Sequence, residues 1–221
     1  MPPPRGLVPL AALWIAGSWL LCFGPRAPLH PTVSGFLPGV RLLVTCLAVG
    51  LCAAWPLLRL SGPRERWPIR SALVDAATLA TMLQVILWPL RLTTAWAPAR
   101  LLLIDALLLS WMLVCAAIVS SAMGSARPAA RAWAMLGCLL VTVLGLLVDP
   151  LLEAASIGPA PAWALGPVLG ALQLISPDSP AQAAQTWAGV CVVVAVAATG
   201  FGLSGWRRRA VDPVAPSAAH R

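Results

Sequence analysis

Two aspartates set inside apolar stretches, Asp75 and Asp105, are the residues of this chain most able to do chemistry. A carboxylate held in a bilayer marks an ion or proton route, or a counter-ion pair, by default. Asp75 is followed on the same stretch by Thr81 and Gln84, and these three form the candidate intramembrane polar pathway. Their neighbours suggest a plainer role. Asp75 lies just beyond Arg64, Arg66 and Arg70, and Asp105 lies near Arg100 and Arg91, so both are expected to pair with Arg at interface level.

Other reactive groups are scarce. The two histidines are His30, in a connecting segment, and His220, near the end, and there is no Tyr. No HExxH, GxSxG or DxxD pattern occurs, which removes the common zinc-protease, serine-hydrolase and Asp-rich prenyl-transfer centres. The six Cys, at 22, 46, 52, 115, 138 and 191, all lie in apolar stretches, and none forms a CxxC. Cys46 and Cys52 are six apart, which on a helix turns them to different faces. They read as small buried thiols rather than a redox pair or a zinc site. All fifteen basic residues are Arg. Without Lys the chain cannot hold a P-loop of its own, a Schiff base or a Ser–Lys dyad. A GC-rich coding bias accounts for the absence of Lys, Asn and Tyr together. No catalytic, cofactor-binding or metal-ligating set is visible, so the chain does not read as an enzyme.

The elements that carry these residues follow from composition. Of 221 residues 60% are hydrophobic and 10% charged, with a mean hydropathy of +0.87. A soluble domain runs about 45–50% apolar and about 25% charged. The values exclude a soluble globular fold and a disordered chain, and they argue against nucleic acid as a partner despite the net charge of +8. The expected fold is all-α, a polytopic membrane helix bundle.

A spanning helix needs about 20 mostly apolar residues. Six stretches serve, at about 7–23, 37–58, 71–90, 101–123, 132–148 and 184–205. The first has too long an apolar core for a signal peptide and no small-residue cleavage site. The third is interrupted by Asp75, Gln84 and several Thr, which also suits an amphipathic helix on the membrane surface. With the N-terminus in the cytoplasm, eleven Arg fall on the cytoplasmic side and only Arg26, Arg41, Arg91 and Arg100 on the other. Six spans return the C-terminus to the cytoplasm with its Arg207-Arg208-Arg209 stop, and residues 210–221 read as a disordered tail. The localisation expected is the cell (inner) membrane, multi-pass, with both termini cytoplasmic.

Trp67, Trp96, Trp187 and Trp206 fall at span ends, as an interfacial belt requires. Trp14, Trp55, Trp111 and Trp133 lie deeper and read as packing residues. Ala198 and Gly202, four apart, form a small-xxx-small helix-packing face. The connection from Asp149 to about Ala183 holds an apolar run, 162–175, broken at Gly166-Pro167. Too short to span, it suits a re-entrant or interfacial segment. The turn Ser61–Arg70 carries Arg64, Glu65, Arg66, Trp67 and Arg70, and it reads as a docking element for a cytoplasmic partner.

This layout resembles the membrane subunit of ABC-2 type transporters, with the haem-exporter B subunits as a close variant. The resemblance covers about residues 35–209. It is carried by Ser120-Ser121 followed by Arg127 and Ala132, by Asp149-Pro150-Leu151-Leu152, by Ile175-Ser176-Pro177 and by the Arg-rich stop. Two features depart from the family: the chain begins Met-Pro-Pro-Pro instead of an amphipathic helix, and Glu65 alone remains of the acidic coupling residues. The resemblance implies a homo- or heterodimer of permease subunits, a separate P-loop ATPase docked on the 64–70 turn, and export by alternating access. A non-transporting membrane scaffold or assembly factor is the alternative.

Overall fold

A computed structural model describes residues 6–24, 33–63, 67–94, 96–125, 127–155, 160–176 and 183–211. The described residues are helical, with no strand among them. The helices are α1 (Leu7–Phe23), α2 (Val33–Val49), a π-turn (Gly50–Ala54), α3 (Trp55–Ser61), α4 (Pro68–Thr94), α5 (Pro98–Met123), α6 (Pro128–Ala154), α7 (Gly166–Ile175) and α8 (Ala183–Val211). Five are long and apolar enough to cross a bilayer: Leu37–Ser61, Pro68–Arg91, Pro98–Met123, Pro128–Leu152 and Ala184–Trp206. This is the build of a multi-pass membrane protein. At 17 residues α1 is shorter, about 26 Å by helical rise.

Local sequence sets the helix boundaries. Pro68, Pro98 and Pro128 each open a helix, where the missing N–H is no loss and the fixed φ is already helical. The third apolar stretch is one uninterrupted helix, α4, from Pro68 to Thr94. One expected boundary moves. Asp149-Pro150 does not end its helix, which runs on to Ala154, since one lost N–H in a membrane helix is readily absorbed. At Gly166-Pro167 the 162–175 run divides into a turn over 162–165 and α7, with Pro in the first turn of the helix. Gly166 has φ +76°, and the Val141 carbonyl lies 3.1 Å from where a Cβ would stand, so glycine suits both its backbone and its space. Ala210 and Val211 belong to α8, and residues 212–221, the rest of the expected tail, lie outside the described residues.

The π-turn has an identifiable cause. Pro56 has no N–H to offer the Cys52 carbonyl four residues back, and its ring crowds that carbonyl. The helix widens just before it, with the Trp55 N–H reaching the Gly50 carbonyl. Two neighbours fill the loosened ladder. The Cys115 thiol donates to the Cys52 carbonyl at 3.5 Å, and the Trp14 indole N–H donates to the Cys46 carbonyl at 3.1 Å. Trp14 lies directly on Gly50, where a Cβ would collide with its indole nitrogen.

α5 is the centre of the bundle, packed by α3, α4, α6, α7 and α8. Its sequence is apolar all round, which suits a helix covered on all sides. Leu107, Leu108, Met112, Cys115 and Val119 are at most 2% exposed. α7 packs against α2, α5 and α6. Close approach is possible because a Cβ on Gly145 would overlap the Leu165 carbonyl, one on Gly170 the Ala162 carbonyl, and one on Gly189 the Trp163 ring.

The tryptophans divide differently from the expected belt. Trp67, Trp187 and Trp206 are exposed at helix ends, but Trp96 folds back from the α4–α5 turn into the core. Trp55 and Trp111 are core residues, whereas Trp133 points outward. It lies one turn and a half into α6, about 8 Å from the helix start, a depth suited to the interface.

Candidate functional site

The two aspartates sit in different environments at opposite ends of the bundle. Neither pairs with an Arg of its own helix. Arg70 precedes Asp75 by five residues and Arg100 precedes Asp105 by five, which is about 140° around a helix rather than the shared face of an i,i+4 pair.

Asp75 is fully buried and receives Arg59 from the last turn of α3, with Nε 2.9 Å from Oδ2. Arg59 Nη2 also donates to Ser71 Oγ. Ser71 and Asp75 are four apart on α4, so a single guanidinium engages both from one side. Arg131 of α6 donates to the carbonyl of Gly62, the C-cap of α3, at 3.0 Å. A side-chain cation thus caps the helix C-terminus. Three helices are tied together beneath the α3–α4 turn. On that turn Trp67 is 55% exposed and Arg70 is exposed, while Arg64, Glu65 and Arg66 lie outside the described residues.

Asp105 is half-buried, and its partner is Gln84 rather than Arg91 or Arg100. The Gln84 Nε2 amide donates to both carboxylate oxygens, at 2.9 Å each. The Trp88 indole N–H donates to the Gln84 carbonyl at 2.6 Å. Because Trp88 claims the amide oxygen, the amide nitrogen is turned toward the carboxylate. Gln84 is the signal that sequence reading had in hand and assigned elsewhere.

The three residues of the expected polar pathway are placed apart on α4. Asp75 and Gln84 are nine residues apart on α4, which places them on opposite sides of the helix about 13 Å apart along its axis. Thr81 is exposed, and its hydroxyl donates to the Ala77 carbonyl of its own helix at 2.9 Å. Asp75 goes to α3, Gln84 to α5, and Thr81 to neither.

No family model matches the chain, and no curated protein or solved structure matches it either. The functional reading therefore rests on the residues themselves.

The other candidates are placed as follows. Ala198 and Gly202 face outward on α8, and nothing lies within 4 Å of a Cβ at Gly202. Within the chain α8 instead turns Thr186, Val190, Val193, Ala197 and Ser204 inward, with Gly200 over the Ala117 methyl. Ala197 is one residue, about 100°, from Ala198, enough to exchange a buried for an outward face. Cys52, Cys115 and Cys138 are buried in the core, Cys22 and Cys46 are half-buried, Cys191 is exposed, and all six are free thiols. Among the described residues no group of His, Cys, Asp and Glu is arranged to hold a metal ion.

Proposed function

We propose that this chain is the membrane permease subunit of an ABC-type exporter, driven by a separate cytoplasmic P-loop ATPase. The observation that carries the reading is the braced α3–α4 turn. An exposed Trp and Arg stand on a turn whose base is tied to three helices, by the Arg59–Asp75 pair and the Arg131–Gly62 contact. Force applied to such a turn passes into the bundle instead of being lost in a loose loop. The Arg-rich composition around it favours the cytoplasmic side. In this reading α1 is a sixth span, both termini are cytoplasmic, and α7 with the turn before it is the re-entrant segment on the far side. The covered backbone that such a segment needs is consistent with the packing of α7 against α2, α5 and α6.

The test is purification of the tagged protein from its native cells in mild detergent, with mass spectrometry of what accompanies it. A stoichiometric P-loop ATPase, lost in Trp67→Ala/Arg70→Ala at unchanged expression, is the expected result. A preparation without an ATPase overturns the reading. A second reading, a non-transporting scaffold or assembly factor, is favoured by one observation: Asp75 and Gln84 lie on opposite sides of α4 and are each engaged by a neighbouring helix, Arg59 of α3 and Asp105 of α5. The same preparation separates the two.

A further inference from the structure

Among the described residues no cation lies within ion-pair distance of the Asp105 carboxylate. Its partner is the neutral amide of Gln84, and one amide nitrogen shared between two oxygens leaves outward lone pairs on both. Asp105 lies seven residues into α5, about 10 Å from the helix start. A carboxylate at that depth with only a neutral partner is costly. The Arg residues of these two helices at this end stand nearer the surface. Arg91 is seven residues beyond Gln84 on α4, about 10 Å further along the axis, and Arg100 is in the first turn of α5.

Trp88 is fixed beside the carboxylate. Its indole N–H is bound to the Gln84 carbonyl oxygen, so the ring and the carboxylate flank one amide group. The surroundings are apolar and open. Val85 is 70% exposed, and Trp88 and Leu102 are each 42% exposed. Leu102 lies one turn before Asp105, and the half-buried Leu109 one turn beyond it. The α4–α5 seam therefore offers one carboxylate, one aromatic ring and hydrocarbon, on a face turned to the bilayer.

These groups select among cations. A hard inorganic ion takes about six or more oxygens. Only the two carboxylate oxygens are open here, because Trp88 occupies the amide oxygen. The water such an ion would retain would face Val85 and Leu102. An alkylammonium suits what is present: N–H donors for the carboxylate, a cation for the indole ring, and a chain for the apolar wall. We propose that the seam at Asp105 is a binding site for an amphiphilic organic ammonium that enters from the bilayer. Its cation sits on Asp105 beside Trp88, and its hydrocarbon chain lies on Val85, Leu102 and Leu109. This site does not depend on the ATPase reading. Cation binding and ATPase recovery are separate readouts, so either can fail alone.

The test uses the full-length protein in dodecyl maltoside micelles. The probe is octylamine, a cation at neutral pH, and octanol is its uncharged counterpart. Octylamine is expected to raise the unfolding midpoint saturably, by about 5 °C, and octanol is not. Asp105→Asn, monodisperse by gel filtration, is expected to need at least about tenfold more octylamine for the same shift. Trp88→Leu is expected to need about threefold more. If Asp105→Asn does not fold, Trp88→Leu and the octanol comparison carry the test. Phosphatidylethanolamine, whose ammonium lies beyond a phosphate, is expected to give no shift. The proposal is overturned by the absence of a saturable octylamine shift, or by an equal shift with octanol or phosphatidylethanolamine. A folded Asp105→Asn or Trp88→Leu that responds as wild type overturns it as well.

Discussion

Asp75 and Asp105 stand in matching local sequences and opposite physical situations. Each lies seven residues after a helix-opening Pro and five after an Arg, in Pro68-Ile-Arg70 and Pro98-Ala-Arg100. Yet Asp75 is fully buried and paired with Arg59, whereas Asp105 is half-buried and, among the described residues, is met by the Gln84 amide. The neighbouring helix makes the difference. α3 ends with a cation at the right height for Asp75. Opposite Asp105, α4 presents Gln84. An intramembrane carboxylate therefore has no fixed meaning: one is a brace inside the chain, and the other is an open valence at its surface.

That contrast is most directly broken by removing the charge at the buried site. Asp75→Asn removes the buried carboxylate that Arg59 pairs with, and breaking one side of a buried pair costs about 3–5 kcal/mol. Thermal unfolding in detergent is expected to show a large loss of stability. A mild effect would mean that water or lipid phosphate reaches Arg59 and that the pair is not sealed.

A smaller effect is expected at Ser71. Ser71→Ala removes the hydroxyl that Arg59 Nη2 engages while leaving the ion pair, and a hydrogen bond to a charged group contributes about 1.5–3 kcal/mol. The same unfolding measurement should place it below Asp75→Asn. If the two are equal, the hydroxyl and the carboxylate act as one unit. Replacing the whole pair is expected to cost less again. Arg59→Met with Asp75→Leu leaves no orphan charge, and swaps of this kind run from about neutral to stabilising by a few kcal/mol. A stability near that of wild type, combined with loss of ATPase recovery, would assign the pair to force transmission rather than to folding.

How legible all this was in the sequence depends on the distance over which a residue's partner is chosen. The long apolar helices could be read directly, because period and length are local properties, and α5 and α8 begin and end within a few residues of expectation apart from the extension of α8 through its Arg stop. The partner of each Asp could not be read, because the expectation looked to the Arg residues nearest in sequence, and for Arg70 and Arg100 the five-residue spacing turns the charges apart. The π-turn had a signal in Pro56, but its consequence needed Cys115 and Trp14 from other helices. Which side of α8 carries Ala198 and Gly202 could not be read, because an all-apolar helix has no periodic signal to show which side is inward; both lie on its outward side. Asp75, Thr81 and Gln84 were grouped by nearness along the chain, and nine steps of 100° put Asp75 and Gln84 on opposite sides of the helix.

The smallest effect on the isolated chain is expected at Asp105, and its sign sharpens the comparison. Asp105→Asn keeps an acceptor for the Gln84 amide and removes a charge from apolar surroundings. The monomer is therefore expected to change by less than about 1 kcal/mol, toward neutral or greater stability. Unfolding of the dilute monomer in detergent measures this. A loss well above that would mean that the ionised carboxylate itself, and not merely an acceptor for the Gln84 amide, holds the α4–α5 seam together.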